Sequence, residues 1–445
     1  MDVYQEYKGK CCTADQAVQV VKDGDWVDYG MSCAYPTALD KALARRQGDL
    51  KDIKVRNAIS CHPVAILEAD PENETFTYNL WHCSAIDRKY LDAGRAYHEP
   101  MLFRDCGSYY TRGFAPVNVA MITVAPMDRH GNFSFGLTNG CTQEMLDAAE
   151  TIIVEVNPNM PVVFGMGSDH IHVSKVHAIV ESQEAVSLAP NREPSAIDKQ
   201  IAENIFPYLH DGITLQLGIG GMPNALGILI AESDLKDLGM HTELMSDGYL
   251  NLYKAGKITN DKKPFQRGKG VFSICMGSKE LYEFLDHNQD VLSAPMHYVN
   301  NPETIRQLDD FISINSCIAA DLYGQVCSES AGTRHISGTG GQLDFVTGAY
   351  AADHGKAFLA MPSSRVDKQG IRHSNILPRF TAGDIITTPR TQAPYMVTEY
   401  GVANLSGLAT WQRAEALINI AHPDVREDLI KAAEAQHIWR RSNKC

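Results

Sequence analysis

Five residues able to do chemistry crowd into the stretch GMHTELMSDG (239–248): His241, Thr242, Glu243, Ser246 and Asp247. An apolar helical pattern, NALGILIAESDLKDL, precedes them and an amphipathic run, YLNLYKAGKI, follows. The residue types alone fit an exposed polar loop. They also fit a carboxylate held between packed segments. Glu243 is the residue so placed: Leu244 and Met245 flank it, and partial desolvation raises the basicity of a carboxylate. Such a group serves as general base or as nucleophile.

A second constellation lies about twenty residues upstream, the span of one helix and its connection in an open α/β sheet. In LQLGIGGMPNALG (215–227) a strand-like run ends at Leu217. Gly218, Gly220 and Gly221 then turn the chain, with Ile219 and Met222 between and after them. Pro223 is expected at the first helical position. This pattern aims backbone N–H groups outward from a helix N-terminus, where they receive an anion or an oxyanion. It fits equally a tight turn whose glycines serve geometry alone. No Gly-Lys-Ser/Thr follows, so it is not a phosphate-binding loop of the Walker kind, and Pro223 stands where the dinucleotide fingerprint needs its third glycine. A further glycine cluster, HISGTGGQLDF, places Gly340 and Gly341 before a helical run.

Other candidates are weaker. His170 and His172 alternate in GSDHIHVS and would share one strand face, yet Asp169 falls on the other, so no metal site is expected. CHP (61–63) and WHCS (81–84) contain isolated histidines, and VTEYG sets Glu399 at a strand end. No Gly-x-Ser-x-Gly elbow is present, which argues against a serine hydrolase.

These residues need a scaffold, and the patterning supplies an α/β one. Strand-like runs occur at 151–156, 213–218, 271–277, 357–362 and 384–388. Thr13 and Gln16 form a capping box for the first helix, and a helix starts near Thr410. APMDRHGNFSFG (125–136) reads as a hairpin-like element turning at His130-Gly131-Asn132. KDGDWVDYGMSCAYPTALDKAL from Lys22 and HDGITLQLGIGGMPNALGILI from His210 share one plan: Asp-Gly, short strand, Gly, small-residue turn, Pro, then helix. Gly24 and Gly30 correspond to Gly212 and Gly218, so two related halves are expected. The junction is expected within SLAPNREPSAID (187–198), giving domains 1–190 and 191–445, the second carrying Glu243.

With 445 residues, 44% hydrophobic and 21% charged, the chain has the composition of a globular protein of two or more domains. Its net charge of −14, with no Lys/Arg block, speaks against nucleic-acid or membrane-surface binding. No apolar run reaches the length of a membrane span and no signal-peptide core opens the chain, so a cytoplasmic location is expected. Eleven cysteines at irregular spacing, with no C-x-x-C pair, read as reduced thiols, mostly small core residues.

Taken in order, LGIGGMPNA, GMHTELMSDG, GQVCSES, SGTGGQLDFVTGA, VTEYG and RAEALINIAHPD resemble the acetyl-CoA hydrolase/transferase group of family I CoA-transferases along nearly the whole chain. GDWVDYG, NLWHCSAIDRKYL, IAESDLKDLG and TWQRAEALI bring it near the butyryl-CoA:acetate branch, with the 4-hydroxybutyrate CoA-transferases close by. The resemblance implies two tandem related open α/β/α domains with mostly parallel sheets. It implies that Glu243, in a Gly-x-His-Thr-Glu pattern, is the nucleophile. Coenzyme A, a substrate and not a resident cofactor, would lie along Gly218, Ile219, Gly220, Gly221 and Met222 and near Gly340 and Gly341. Acyl-CoA and short-chain carboxylates such as acetate and butyrate would be the partners, and a homo-oligomer is expected. Tyr78, Trp81 and His82, in the aromatic run FTYNLWHCS, are candidates for the acyl pocket. MSDGYLNL mixes features of the two branches, leaving 4-hydroxybutyryl-CoA or propionyl-CoA transfer, or acyl-CoA hydrolysis, as alternatives. A dehydrogenase is disfavoured by Pro223, and a non-catalytic CoA-binding module would tolerate loss of Glu243.

Overall fold

The protein is described from a computed structural model that covers residues 2–189, 193–393, 395–440 and 442. It is an α/β protein. By internal contacts the chain divides into two compact units. The first comprises Met1–Pro190, Glu243–Ser246 and Val271–Val299, and the second comprises Asn191–Thr242, Asp247–Gly270 and Asn300–Cys445. Segments beyond residue 191, Glu243 among them, therefore count with the first unit. Residues 190–192 of the expected junction lie outside the described residues.

The first unit is built on a seven-stranded sheet. Its order is Ala96–His98, Phe76–Leu80, Ile53–Asn57, Trp26–Tyr29, Val119–Val124, Thr151–Val156, Ala178–Glu181. Every pairing is parallel. All six residues of Val119–Val124 are buried, as expected of a strand covered by helices on both faces. Val119 and Met121 join one core cluster, while Ala120, Ile122 and Val124 join the other. The alternation is the period of two that a strand imposes.

This sheet also carries a buried charge. Arg56 and Asp28 are cross-strand neighbours, with Nη1 2.9 Å from Oδ2. The guanidinium reaches Glu99 at 3.2 Å and stacks 4.4 Å from the Trp26 ring. Tyr110 donates to Asp28 at 2.6 Å. A buried pair of this kind holds only because its remaining hydrogen bonds are satisfied.

In the second unit, the start of strand Gly239–Met245 (residues 239–242) pairs with Thr214–Leu217, followed by Phe311–Ser316, Lys356–Ala360, Tyr395–Thr398 and Gly401–Asn404. The pairings are parallel up to the last, which is antiparallel. Trp26–Tyr29 and Thr214–Leu217 occupy corresponding places: each lies between the next strand in sequence and a strand reached by a crossover. Gly24 and Gly212, matched by the sequence repeat, take φ +85 and +81. The repeat is structural.

Four of the five strand-like runs are strands. The fifth, 384–388, is not. It makes a single bridge, Thr388 to Val326, and Ile385 and Ile386 are exposed. Gly383 at φ +103 and the Thr381–Asp384 turn break the chain before it, so β-branched residues alone do not recruit a partner strand. The helix from Thr410 is present, and so is the Thr13–Gln16 capping box, but it opens the second helix, Ala14–Ala17, because Val3–Lys10 precedes it. The turn at His130-Gly131-Asn132 forms, but Asn132–Ser134 pairs as a strand with His170–His172. No described helix is long and apolar enough to cross a membrane.

The strand that carries Glu243 rests on a buried lysine. Lys263 is 1% exposed, and its Nζ donates to the carbonyls of Met240 (3.1 Å) and Lys269 (2.8 Å). A Cβ at Gly239 would meet the Lys263 stem at 2.9 Å, which explains the glycine. Burial pushes the Lys263 ammonium down to about 7, against roughly 10.4 in an unfolded chain. Between those values the unfolded chain binds more protons, so its share of the unfolding free energy rises with pH through that window. Lys263→Met should flatten that rise in urea-unfolding curves taken from pH 7 to 10. An unchanged slope would contradict the assignment.

Candidate active site

GMHTELM is not a polar loop. It is a β-strand, Gly239–Met245, in which every residue is buried except Glu243, which is half-buried. Its polar groups serve the interior. His241, fully buried, meets the edge of the Phe311 ring at 6.2 Å. The side chain of Thr242, also fully buried, hydrogen-bonds the Tyr249 phenol. Alternation puts Glu243 on the face opposite Thr242 and Leu244. Leu244 packs into the core cluster that also contains Trp81. Ser246 follows, and Asp247 opens the helix Asp247–Lys254.

Tyr249 does more than fill the core. Its oxygen accepts from the Leu217 N–H at 2.8 Å and lies 3.3 Å from the Leu215 carbonyl. It thereby fixes the last residue of the strand that enters the glycine turn. No local pattern signals this role, since Tyr249 sits in an ordinary amphipathic run.

The glycine turn forms as expected, with one correction. The helix begins at Gly221, so Pro223 is its third residue and not its first. Proline is tolerated there because first-turn N–H groups have no intrahelical acceptor. Gly220 takes φ +121 and ψ −174, a region open to glycine almost alone. A Cβ at Gly220 would meet nothing within 4 Å, whereas one at Gly221 would overlap the Asp198 carboxylate. Gly220 is thus required by conformation and Gly221 by packing. Among the described residues, no protein group accepts from the N–H of Ile219, Gly220, Gly221 or Met222.

The corresponding helix of the first unit, Thr37–Ala44, is answered from within. The Glu155 carboxylate accepts from the N–H groups of Ala38 (2.8 Å) and Leu39 (3.2 Å). Burial pushes Glu155 up to about 7. A glutamate inside TIIVEV, an otherwise apolar strand, was the available signal for this role.

Gly340 takes φ +56, and Gly341 precedes the helix Gln342–Ala351. That helix packs on Phe311–Ser316, the neighbour of Thr214–Leu217. The acyl-pocket candidates separate. Trp81 lines a small cavity with Met31, Ala58, Tyr110, Cys141 and Met145. Tyr78 is fully buried in the other core cluster, bonded to Asn57 and Ser60. It is a structural phenol on the opposite face of the sheet and does not line that cavity. The His82 ring lies 5.4 Å from that of Phe103, tilted by 45°. Glu399 follows strand Tyr395–Thr398 and accepts from the Ser363 backbone (2.8 Å) and hydroxyl (2.6 Å). His170 lies 3.1 Å from Asp169, and His172 2.7 Å from the Ser174 hydroxyl.

Comparisons with known proteins agree on one family. Residues 1–190 match the acetyl-CoA hydrolase/transferase N-terminal domain and residues 277–433 the C-terminal domain of the same family. A butyryl-CoA:acetate CoA-transferase of Anaerostipes caccae is 47% identical over 100% of both chains. A probable butyrate:acetyl-CoA coenzyme A-transferase of Syntrophomonas wolfei is 46% identical over 99% of this chain and 98% of its own. The crystal structure of RipA from Yersinia pestis superposes with a TM-score of 0.91 at 35% identity, covering 98% of this chain and 100% of that one. With both domain models matched in order and relatives this similar along their full lengths, the chain belongs to the acetyl-CoA hydrolase/transferase family.

Proposed function

We propose that the protein is a short-chain acyl-CoA:acetate CoA-transferase, with butyryl-CoA as its preferred donor, working by a ping-pong route through Glu243. The observation that carries this reading is the setting of Glu243. It is the one half-buried residue of a buried strand, in a chain whose full-length relatives include butyryl-CoA:acetate CoA-transferases.

The chemistry balances as two exchanges. The Glu243 carboxylate attacks the thioester carbonyl of acyl-CoA, and the tetrahedral adduct expels CoA thiolate to leave a mixed acyl–glutamyl anhydride. The thiolate attacks the glutamyl carbonyl, releasing the free carboxylate and leaving a glutamyl-CoA thioester on the enzyme. Acetate then attacks that thioester, and the thiolate takes the acetyl group from the second anhydride. Acetyl-CoA leaves and the Glu243 carboxylate is restored. The thioester energy is kept in the covalent intermediate, so the route calls on no metal or redox cofactor.

The N–H groups of Ile219, Gly220, Gly221 and Met222 are donors for the anionic parts of CoA or for a developing oxyanion. Gly340 and Gly341 are a second stretch for CoA. The cavity at Trp81 is only about 20 Å³ and is lined by Arg56, Asn57 and Thr142 as well as Met31, Ala58 and Met145, so it holds about one water and not an acyl chain. Acyl-CoA is a polyanion that does not cross membranes, which suits a cytoplasmic homo-oligomer.

Glu243→Ala should lower butyryl-CoA:acetate exchange by at least about a thousandfold, with CoA binding retained in calorimetry. Exchange near the wild-type rate would overturn the assignment. In the wild type, butyryl-CoA consumption should require acetate; equal consumption without it would mark a hydrolase. Gly220→Ala, which forces a Cβ into φ +121, should lower kcat/KM by about a hundredfold while circular dichroism stays native. A loss below twofold would remove the turn from the site.

A further inference from the structure

The strand that carries Glu243 and the strand that enters the glycine turn do not run together to the end. They are registered at Thr214–Gly239 and Leu215–Met240, and among the described residues the register goes no further. On its other side Thr214–Leu217 stays paired through Leu217–Ile314. One neighbour thus follows the strand to the turn, and the other leaves it two residues earlier.

Such a fork strands backbone groups at a definable place. Along a strand the backbone groups of successive residues point to alternate sides. The Gly239 N–H donates to the Ile213 carbonyl (2.8 Å), and the Gly218 N–H donates to the Ile314 carbonyl (2.9 Å). Odd-numbered residues here therefore face Gly239–Met245, and even-numbered ones face Phe311–Ser316. The Leu217 N–H points to the side that has parted. Leu217 is buried, so solvent does not answer it, and a buried N–H left without an acceptor is costly.

Tyr249 answers it. Its oxygen accepts from the Leu217 N–H at 2.8 Å and donates to the Leu215 carbonyl at 3.3 Å. The fork presents one donor and one acceptor, and a phenol offers one of each. The ring is fully buried. Its helix, Asp247–Lys254, lies close on the helix that begins in the glycine turn: a Cβ built at Gly227 would stand 3.6 Å from the Gly248 Cα.

Chain order gives the consequence. The segment 240–249 leaves Leu215 through the strand pairing and returns to Leu215 and Leu217 through the phenol. Glu243 lies inside that closed loop, and the strand that closes it runs on into Gly218.

We propose that Tyr249 is a positioning residue for the transfer reaction: its phenol stands where a further rung of the ladder would be and fixes the spread between the strand of Glu243 and the strand that enters the glycine turn. The proposal rests on the reading of Glu243 as nucleophile. Tyr249 is buried and acts through these two strands, not on substrate. Without its oxygen, the fork closes or the end of Thr214–Leu217 turns aside to find another acceptor. A shift of the reacting groups near 1 Å costs about a hundredfold in rate. The ring itself remains, so the contacts that hold CoA are kept.

The test is Tyr249→Phe, set beside Tyr78→Phe, which removes another fully buried phenol, the one bonded to Asn57 and Ser60 in the first unit. In a single turnover with saturating butyryl-CoA, Tyr249→Phe should form the Glu243 adduct about tenfold to a hundredfold more slowly, with CoA binding unchanged in calorimetry. Tyr78→Phe should lose thermal stability and keep the wild-type rate. Amide hydrogen exchange resolved to single residues should speed by about tenfold or more at Leu217 in Tyr249→Phe and stay unchanged at Thr214. A second variant, with the Leu217 amide replaced by an ester, deletes the same bond from the other side and should slow the same step. A wild-type rate in either variant would overturn the proposal. So would equal rate losses in Tyr249→Phe and Tyr78→Phe, which would mark loosened packing in general, or an unchanged Leu217 amide. Hydrogen exchange needs no substrate and no nucleophile, so it reports on the fork even if no adduct forms at Glu243, the result that would instead sink the acyl-transfer reading.

Discussion

A parallel strand that turns directly into a helix leaves the helix's first N–H groups without an acceptor, and the chain must answer them. The two halves of this protein begin from the same strand–turn–helix unit and answer differently. In the first, Glu155 reaches from a strand two places away in the sheet and caps Ala38 and Leu39. In the second, glycines carry the turn and the N–H groups of residues 219–222 meet no protein acceptor among the described residues. A unit that caps itself is structural. The second leaves its first-turn N–H groups without a protein acceptor, and the proposed CoA contact would use them. That one difference separates two otherwise related halves.

The strand that bears Glu243 is held as firmly as the turn is open. Lys263 supports it from beneath through the Met240 carbonyl. Thr242 and Leu217 share the Tyr249 phenol, so the strand and its neighbour are fixed to one side chain. Covalent catalysis requires such rigidity, because a nucleophile that wanders by 1 Å loses most of its advantage. A carboxylate on a strand is better placed for this than one on a loop.

Much of this was legible in the sequence. The repeat at Lys22 and His210 gave the two related halves, and the apolar runs gave four strands, because parallel strands buried on both faces read as continuous hydrophobic segments. The glycine turn was legible because positive φ and close packing leave a compositional trace. What failed had physical reasons. GMHTELMSDG looked like a loop because His241 and Thr242 are polar, yet both are buried, His241 against Phe311 and Thr242 against Tyr249. DIITT looked like a strand, but it pairs at one position alone, Thr388 with Val326, too short a contact to extend a ladder. Tyr78 and Trp81, three residues apart, fall on opposite faces of one sheet, which composition cannot reveal. The partners of Glu155, Lys263 and Tyr249 come from tertiary structure and leave no local pattern.

The central claim is that a carboxylate carries the acyl-transfer energy as a covalent bond. The most direct measurement is mass analysis of enzyme incubated with butyryl-CoA without acetate, quenched with hydroxylamine and digested. A hydroxamate confined to the peptide containing Glu243 is the outcome expected. Enzyme that turns over butyryl-CoA and acetate while that peptide stays unmodified would contradict it.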